Sequence, residues 1–133
     1  ERSPWNMAQI YNAPEFLDEM RYWHKLHEQL RPYLWETAKR CVKESKPILR
    51  PLVYEWPEDP NVLCCQDEYL LGNDLLVAPL LEENAHSREI YLPQGTWTDF
   101  FSGEIYAGSQ TITIDAGDKL PVFSRNGFQW KHN

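Results

Sequence analysis

The chain has 133 residues, of which 42% are hydrophobic and 25% charged, a balance typical of a globular domain and not of a disordered segment. Thirteen basic and twenty acidic residues give a net charge of −7, which argues against a basic nucleic-acid footprint. No apolar run approaches the roughly eighteen residues of a membrane-spanning helix, so we expect neither a nucleic acid nor a membrane as a partner.

A long amphipathic helix is predicted over residues 13–45. Apolar residues recur there in steps of three and four, which is the helical period: Phe16, Met20, Trp23, Leu26, Leu30, Leu34, Ala38 and Cys41. Acidic residues crowd the first turn and basic residues the last, as the helix dipole favours. Pro32 lies inside this pattern. Because proline lacks a backbone N–H and clashes with the preceding turn, we expect a kink or a break there.

From Pro47 onwards the hydrophobic period shortens to that of β-strands, with frequent turn signals between the apolar runs. We predict loops over 57–67 and 82–87, and strands over residues 48–56 (interrupted at Pro51), 69–71, 75–80, 88–92, 96–101, 110–114 and 120–125. Short strands with so many turns favour an antiparallel sandwich over a parallel sheet. The predicted fold is therefore α+β, with a helical segment at 1–46 followed by a small antiparallel β-sandwich at 47–133.

The cysteines and histidines form no recognisable metal or redox motif. Cys64 and Cys65 are adjacent and would close a strained ring if they paired, and no C-x-x-C spacing is present. His24 and His27 share one helix face, but no third ligand accompanies them. We therefore expect free thiols, no metal and no cofactor. Free thiols suit a reducing compartment, and no secretory leader begins the chain, so we expect a cytoplasmic protein.

No active site can be assembled from sequence motifs. Phosphate loops, dinucleotide-binding loops, nucleophile elbows and zinc-protease patterns are all absent from the sequence. Acidic pairs occur at Glu58-Asp59, Asp67-Glu68 and Glu82-Glu83, and any two carboxylates could in principle serve a glycosidase. Solvated loop charges and turn caps are the simpler interpretation, and Asp74 fits a turn residue. We assign no catalytic, substrate-binding, cofactor-binding or metal residue.

Several motifs nevertheless follow one another in a recognisable order. They are Arg50-Pro51-Leu52, the run from Asp67 to Pro79 (Asp-Glu-Tyr-Leu-Leu-Gly-Asn-Asp-Leu-Leu-Val-Ala-Pro), the run from Tyr91 to Asp99 followed by Gly103, and the run from Leu120 to Gly127. Together they resemble a signature of glycoside hydrolase family 31. Upstream, Leu30-Arg31-Pro32-Tyr33-Leu34 resembles the proline-bearing last helix of that family's catalytic barrel. The resemblance covers nearly the whole chain.

The resemblance implies a parent enzyme much longer than this chain. Family 31 contains α-glucosidases, α-xylosidases and related retaining α-glycosidases, built from a β domain, an eight-fold β/α barrel and two C-terminal sandwiches. This chain would be the last barrel helix and the proximal sandwich. The family's two catalytic aspartates lie on earlier barrel strands and match no position here. The parent would hydrolyse an α-linked oligosaccharide or glycoside by double displacement, and this segment would be scaffold, inactive alone.

Two other functions stay open from the sequence. Six Trp, seven Tyr and five Phe could serve a carbohydrate-binding module that stacks rings on sugars, with Trp97, Phe100 and Phe101 as one possible platform. Alternatively, a non-enzymatic interaction domain would bury the helix in a partner. Under the scaffold interpretation, the isolated chain would leave part of the helix's apolar stripe uncovered and would self-associate through it.

Overall fold

The computed structural model describes residues 3–115, 117 and 119–128. These residues fall into two compact units that divide inside the long helix, between Glu36 and Thr37. The first unit holds helix α1, Pro4–Ile10, and most of helix α2, Phe16–Glu44. The second holds the last turns of α2 and the β-structure that follows. A domain border between residues 46 and 47 stays a prediction.

Helix α1 lies ahead of the region in which the sequence predicts a helix. Ser3 caps it, because its Oγ accepts a hydrogen bond from the backbone N–H of Asn6 at 3.3 Å. Pro4 occupies the first helical position, where its missing N–H removes no helical bond. This Ser-Pro pair is a helix-start signal that a search for apolar periodicity passes over.

Helix α2 runs without interruption through Pro32, so the predicted break is wrong. Proline removes one donor from the helix, but the intrahelical bonds on either side keep the backbone helical, and Pro32 is exposed. A bend at this position stays a prediction. At the C-terminal end, Ser45 takes a φ of 54° and the N–H of Lys46 donates to the Cys41 carbonyl at 3.0 Å. This Schellman arrangement, usually built on glycine, ends the helix.

The described part of the chain then forms eight short strands, each paired antiparallel. They are β1 Leu49–Pro51, β2 Tyr69–Leu71, β3 Leu75–Val77, β4 Ser87–Leu92, β5 Thr96–Asp99, β6 Ile105–Ala107, β7 Gln110–Asp115 and β8 Val122–Arg125. One sheet has six strands in the order β1-β2-β3-β8-β5-β6, and the other pairs β4 with β7. Helix followed by antiparallel sheets confirms the predicted α+β fold with a small β-sandwich.

The sandwich core lies between the two sheets. Fully buried side chains from both sheets belong to one apolar cluster, with Leu70, Leu76, Trp97 and Phe123 from the larger sheet and Ile90 and Leu92 from β4. The indole N–H of Trp97 donates to the Pro93 carbonyl at 2.7 Å, so the largest buried ring leaves no polar atom unpaired. Ile112 and Ile114 of β7 pack against the cluster from the smaller sheet.

The predicted strand over 48–56 is wrong beyond Pro51. Strand β1 ends there, and a single-turn helix α3, Leu52–Glu55, takes its place. Extended φ and ψ angles of −63° and 151° at Pro51 set up the helix start, and Leu52 points into the core with no exposed surface. The chain therefore turns off the sheet edge at this point.

Two further differences concern the loops. The predicted loop over 57–67 contains a 3₁₀ turn, Pro60–Cys64, whose first donor, the N–H of Asn61, bonds the Asp59 carboxylate at 3.0 Å. Strand β6 lies where the sequence pattern predicts no strand. It has three residues, and two of them are exposed, so it carries no hydrophobic alternation.

Candidate functional site

An acidic pair just before strand β2 meets an arginine of strand β4. Arg88 Nη2 lies 2.8 Å from Asp67 Oδ2 and 3.5 Å from Glu68 Oε1. The backbone N–H of Tyr91 donates to Glu68 Oε1 at 2.9 Å. Arg88 Nη1 donates to the Pro79 carbonyl at 2.5 Å, just after strand β3. The guanidinium therefore ties both sheets together through charged hydrogen bonds.

Glu68 has the electrostatics of a general acid in a position that does not suit one. Burial raises its pKa to about 7; the Tyr91 N–H and the Arg88 charge oppose this shift, and Asp67 reinforces it. A retaining glycosidase needs such a protonated carboxyl about 5–5.5 Å from a second carboxylate. However, Glu68 is 6% exposed and its Oε2 atom is closed off from solvent. A glycosidic oxygen has no access to this atom, so Glu68 is structural.

The remaining acidic candidates are bonded to other groups or are exposed, and they lack the environment of a catalytic carboxyl. Asp59 accepts a hydrogen bond from the Tyr91 hydroxyl at 2.6 Å, which holds the pKa of Asp59 below its usual value. Glu82 and Glu83 are exposed in the polar loop before strand β4. The backbone carbonyl of Asp74 accepts from the N–H of Arg125 at 2.8 Å, and its carboxylate lies 3.9 Å from Arg40.

Arg50 is the buried centre of a second charged cluster. Its Nη2 donates to the carbonyl of Gly72 and, at 2.5 Å, to Asn73 Oδ1, so it holds the turn between β2 and β3. Its Nη1 lies 2.8 Å from Glu55 Oε1, and Arg125 lies 4.0 Å from the other oxygen of that carboxylate. This cluster joins residues of three of the four sequence motifs, those that contain Arg50, Asn73 and Arg125. Their contacts here stabilise the packing of the sandwich.

Glu55 and Trp56 take part in this cluster although the sequence did not single them out. The Arg125 guanidinium stacks 4.7 Å from the centroid of the Trp56 ring. Both residues fall in the stretch whose apolar composition predicts a strand, and no motif marks them. Only the turn of helix α3 brings them to the arginines.

The aromatic residues named as a possible sugar platform do not form one. Trp97 has no exposed surface. The rings of Phe100 and Phe101 stand at 78° to each other with centroids 5.2 Å apart, an edge-to-face contact and not a flat surface. A stacking surface on these three residues is therefore excluded.

The thiols and the other metal-binding side chains stand apart from one another. Within residues 3–115, 117 and 119–128, no three His, Cys, Asp or Glu side chains gather as a metal ion would require. Cys41, Cys64 and Cys65 are free thiols. Burial and the charge of Glu68 raise the pKa of Cys65 to about 11, which keeps this thiol unreactive near neutral pH. Among the described helices, none is both long and apolar enough to span a bilayer.

Comparison with known proteins finds similar sequences over most of this chain. A sequence profile for the "Glycosyl hydrolase family 31 C-terminal domain" matches residues 45–128. The isomaltosyltransferase of Sporosarcina globispora is 34% identical over 128 residues, which are 96% of this chain and 12% of that protein. Alpha-glucosidase 2 of Bacillus thermoamyloliquefaciens is 30% identical over 95% of this chain and 16% of its own length.

The chain is also similar to a solved structure in three dimensions. The cycloalternan-degrading enzyme from Trueperella pyogenes, in complex with a covalent intermediate, is 35% identical and superimposes with a TM-score of 0.89 over 97% of this chain and 18% of that one. The same enzyme has been solved in complex with isomaltose. This chain therefore spans less than a fifth of the length of the proteins it is similar to.

Proposed function

Because the chain belongs to glycosyl hydrolase family 31, as that family's C-terminal domain, we propose that it supports the catalytic part of a retaining α-glycosidase and carries no catalytic group itself. The observation that carries this proposal is the use of the motif residues. Trp97 packs in the core, and Arg50 and Arg125 form ion pairs with Glu55. Helix α2 is proposed to be the last helix of the parent's barrel.

The parent would act on an α-linked oligosaccharide or glycoside, with α-glucosides and α-xylosides as the two candidate classes. Isomaltose, bound by the similar enzyme of Trueperella pyogenes, supports the α-glucosidic class. Hydrolysis would proceed by double displacement, with one carboxylate attacking the anomeric carbon while the other protonates the leaving oxygen and then activates water. Both carboxylates would come from the parent's barrel, since Glu68 here is closed to substrate.

Uncovered apolar surface fits a supporting role. In the first unit the exposed large apolar side chains are Ile10, Tyr11, Phe16, Tyr22 and Trp35. In the second unit they include Val42, Ile48, Leu49, Val53, Tyr54, Leu63, Leu81 and Ile105. Surfaces of this kind mark contacts with other protein. We propose that the rest of the parent covers them, and that the isolated chain self-associates through helix α2.

The catalytic part of the proposal is tested by assaying the purified chain with p-nitrophenyl α-glucoside and α-xyloside. We expect hydrolysis at the buffer rate, because no accessible pair of carboxylates in the described residues has the required environment. The Glu68→Gln variant is the informative comparison, with the loop variant Glu82→Gln as its matched control. Turnover that Glu68→Gln abolishes and Glu82→Gln preserves would contradict the scaffold role.

We also propose a reducing, cytoplasmic setting for the protein, which the three free thiols support. Titration of the protein taken directly from its native source should find these thiols reduced. Fewer than three reactive thiols after denaturation would count against this setting.

A further inference from the structure

A cleft lies beside helix α3 and the 3₁₀ turn. Its volume is about 490 Å³, and its lining includes Trp56, Glu58, Asp59, Asn61 and Gln94. Small-molecule sites usually measure about 300–1,000 Å³. The cleft is thus large enough for a ligand the size of a sugar unit, and its lining combines two aromatic side chains, Trp56 and Tyr91, with several planar polar groups.

Two polar groups of the cleft, Asp59 and Asn61, are held in fixed orientations. Asp59 Oδ2 accepts the Tyr91 hydroxyl at 2.6 Å, and Asp59 Oδ1 accepts both the backbone N–H and the side-chain amide of Asn61 at 3.0 Å. Tyr91 is itself buried. Each carboxylate oxygen offers two lone pairs, so Asp59 keeps acceptor capacity after these bonds. Groups that are already ordered lose little freedom when a ligand binds.

Trp56 gives the cleft a fixed apolar surface. Its ring is half-buried, packs 6.1 Å from the Trp97 ring at an angle of 56°, and is held by the Arg125 guanidinium stacked on it. Aromatic rings that expose part of an immobilised face suit ligands with both apolar C–H and polar O–H groups.

The charge of the cleft disfavours an anionic ligand. The charge of Glu55 in its wall is matched by Arg50 at 2.8 Å and by Arg125 at 4.0 Å. Asp59 is satisfied by three hydrogen-bond donors. Among the described residues, neither Glu58 nor Asp59 has a cation beside it, so both keep a negative charge in this lining. An anion would meet three carboxylates, whereas the hydroxyls of a neutral sugar can donate to the same oxygens.

We propose that this cleft is a surface binding site for a neutral oligosaccharide. Trp56 contacts the sugar's C–H face, and the sugar hydroxyls bond to the polar side chains of the lining, which are Glu58, Asp59, Asn61 and Gln94. The inference rests on the lining of the cleft and does not depend on the supporting role.

The test is a titration of the ¹⁵N-labelled chain with isomaltotriose, followed by amide chemical shifts. We expect weak, saturable binding with shifts confined to residues 55–61 and 91–94. The exposed double variant Glu58→Ala/Gln94→Ala should weaken binding about tenfold. Its matched control is the double variant Gln66→Ala/Glu82→Ala, which removes the same two residue types at exposed positions outside the cleft and should bind like the unchanged chain.

Three results would overturn the proposal. The first is an absence of shifts up to saturating sugar, and the second is an equal loss of binding in both double variants. The third is a response of the same amides to a tetralysine peptide and not to isomaltotriose, which would make the cleft a site for cationic ligands. Since no catalytic step is measured, failure here leaves the supporting role standing.

Discussion

At the scale of single residues, Arg50 shows how a charge can be fully buried in this sandwich. Its guanidinium has no exposed surface, yet Glu55, Asn73 and the Gly72 carbonyl surround it with negative charge and acceptors. Desolvating a guanidinium is costly, and these partners offset that cost only while the whole set is in place.

Truncating Arg50 should therefore destabilise the chain strongly. We expect Arg50→Ala to lower the free energy of unfolding by about 3 kcal/mol, because it leaves the partly buried Glu55 carboxylate and the β2–β3 turn without their partner. Urea unfolding followed by fluorescence measures this. Arg21→Ala is the control, since its ion pair with Asp18 is exposed and should change stability by less than about 0.5 kcal/mol. Similar losses for both variants would contradict the structure.

Glu68 makes stability depend on pH in an unusual direction. Its pKa in the folded chain is about 7, above the ordinary value of 4.5, so the folded state binds more protons than the unfolded state between these values. Stability should therefore fall as pH rises from about 4.5 to 7.

The Glu68→Gln variant should lack this part of the pH dependence. The free energy of unfolding of the variant, minus that of the unchanged chain, should be about 1–2 kcal/mol larger at pH 8 than at pH 5, after allowance for partial solvent screening. Urea midpoints at both pH values measure the difference. Glu89→Gln, on an exposed side chain of the same strand β4, should follow the unchanged chain. Parallel pH curves for Glu68→Gln and the unchanged chain would refute the assignment.

Sequence alone identifies some of these residues but not their partners. Arg50 belongs to an Arg-Pro-Leu motif and Glu68 to an acidic pair, and both are visible before folding. The partners Glu55, Asn73 and Tyr91 are brought close only by helix α3, by the β2–β3 turn and by the packing of the two sheets. Burial, which decides that Glu68 is structural and not catalytic, has no local signature.

At the scale of secondary-structure elements, Pro32 lowers the stability of helix α2. Pro32 is exposed within the helix and removes one hydrogen-bond donor. Pro32→Ala should raise the free energy of unfolding by about 1–3 kcal/mol and increase the circular dichroism signal at the helical band. Gln29→Ala, three residues earlier and also exposed, should have a much smaller effect. A destabilised Pro32→Ala chain would mean that the proline serves a bend.

The turn between strands β6 and β7 depends on a glycine for close approach. A Cβ at Gly108 would overlap the Pro93 carbonyl oxygen and lie 2.7 Å from the Gly95 nitrogen, and the Gly108 N–H donates to the Gly95 carbonyl at 2.8 Å. Because backbone atoms cannot move aside easily, Gly108→Ala should cost about 3 kcal/mol.

Gly103→Ala is the matched control for that substitution. Gly103 has open space around it and a φ of 77°, so alanine there meets only backbone strain of about 1 kcal/mol. Thermal or urea unfolding compares the two variants. The structure of the β6–β7 turn would be contradicted if the two losses were equal.

Elements with sustained periodicity were predictable, and elements set by single contacts were not. Apolar residues alternate at Ile90 and Leu92 in strand β4 and at Ile112 and Ile114 in strand β7, and the sequence predicts both strands to within one residue. Residues 52–54 have the composition of a strand, but the buried ion pair of Glu55 and the geometry of Pro51 turn them into helix α3. Tertiary contacts override local preference there.

At the scale of the whole molecule, exposed apolar side chains govern how the isolated chain behaves. Helix α2 exposes 37% of Phe16, 49% of Tyr22 and 63% of Trp35. Leaving a few hundred Å² of such surface in water forgoes several kcal/mol at about 25 cal/mol per Å². We expect concentration-dependent dimers in sedimentation equilibrium, together with binding of a hydrophobic dye.

The helix is tested as the site of this association by the double variant Tyr22→Ser/Trp35→Ser, which should weaken dimerisation about tenfold or more. Tyr54→Ser/Leu63→Ser removes comparable exposed apolar side chains from the second unit and serves as the control. A chain that stays monomeric at high concentration, or that responds only to the control variant, would contradict association through α2.

The strand order has a consequence for synthesis. Strand β8 is the last of the eight in sequence, yet it lies between β3 and β5 and joins the two parts of the larger sheet. Until Val122–Arg125 have left the ribosome, β1-β2-β3 and β5-β6 are separate ribbons, and Leu76 and Trp97 lack the Phe123 ring that completes their cluster. Translation must therefore pass strand β8 before the core can close, which leaves apolar ribbons open to chaperones while residues 78–121 are being made.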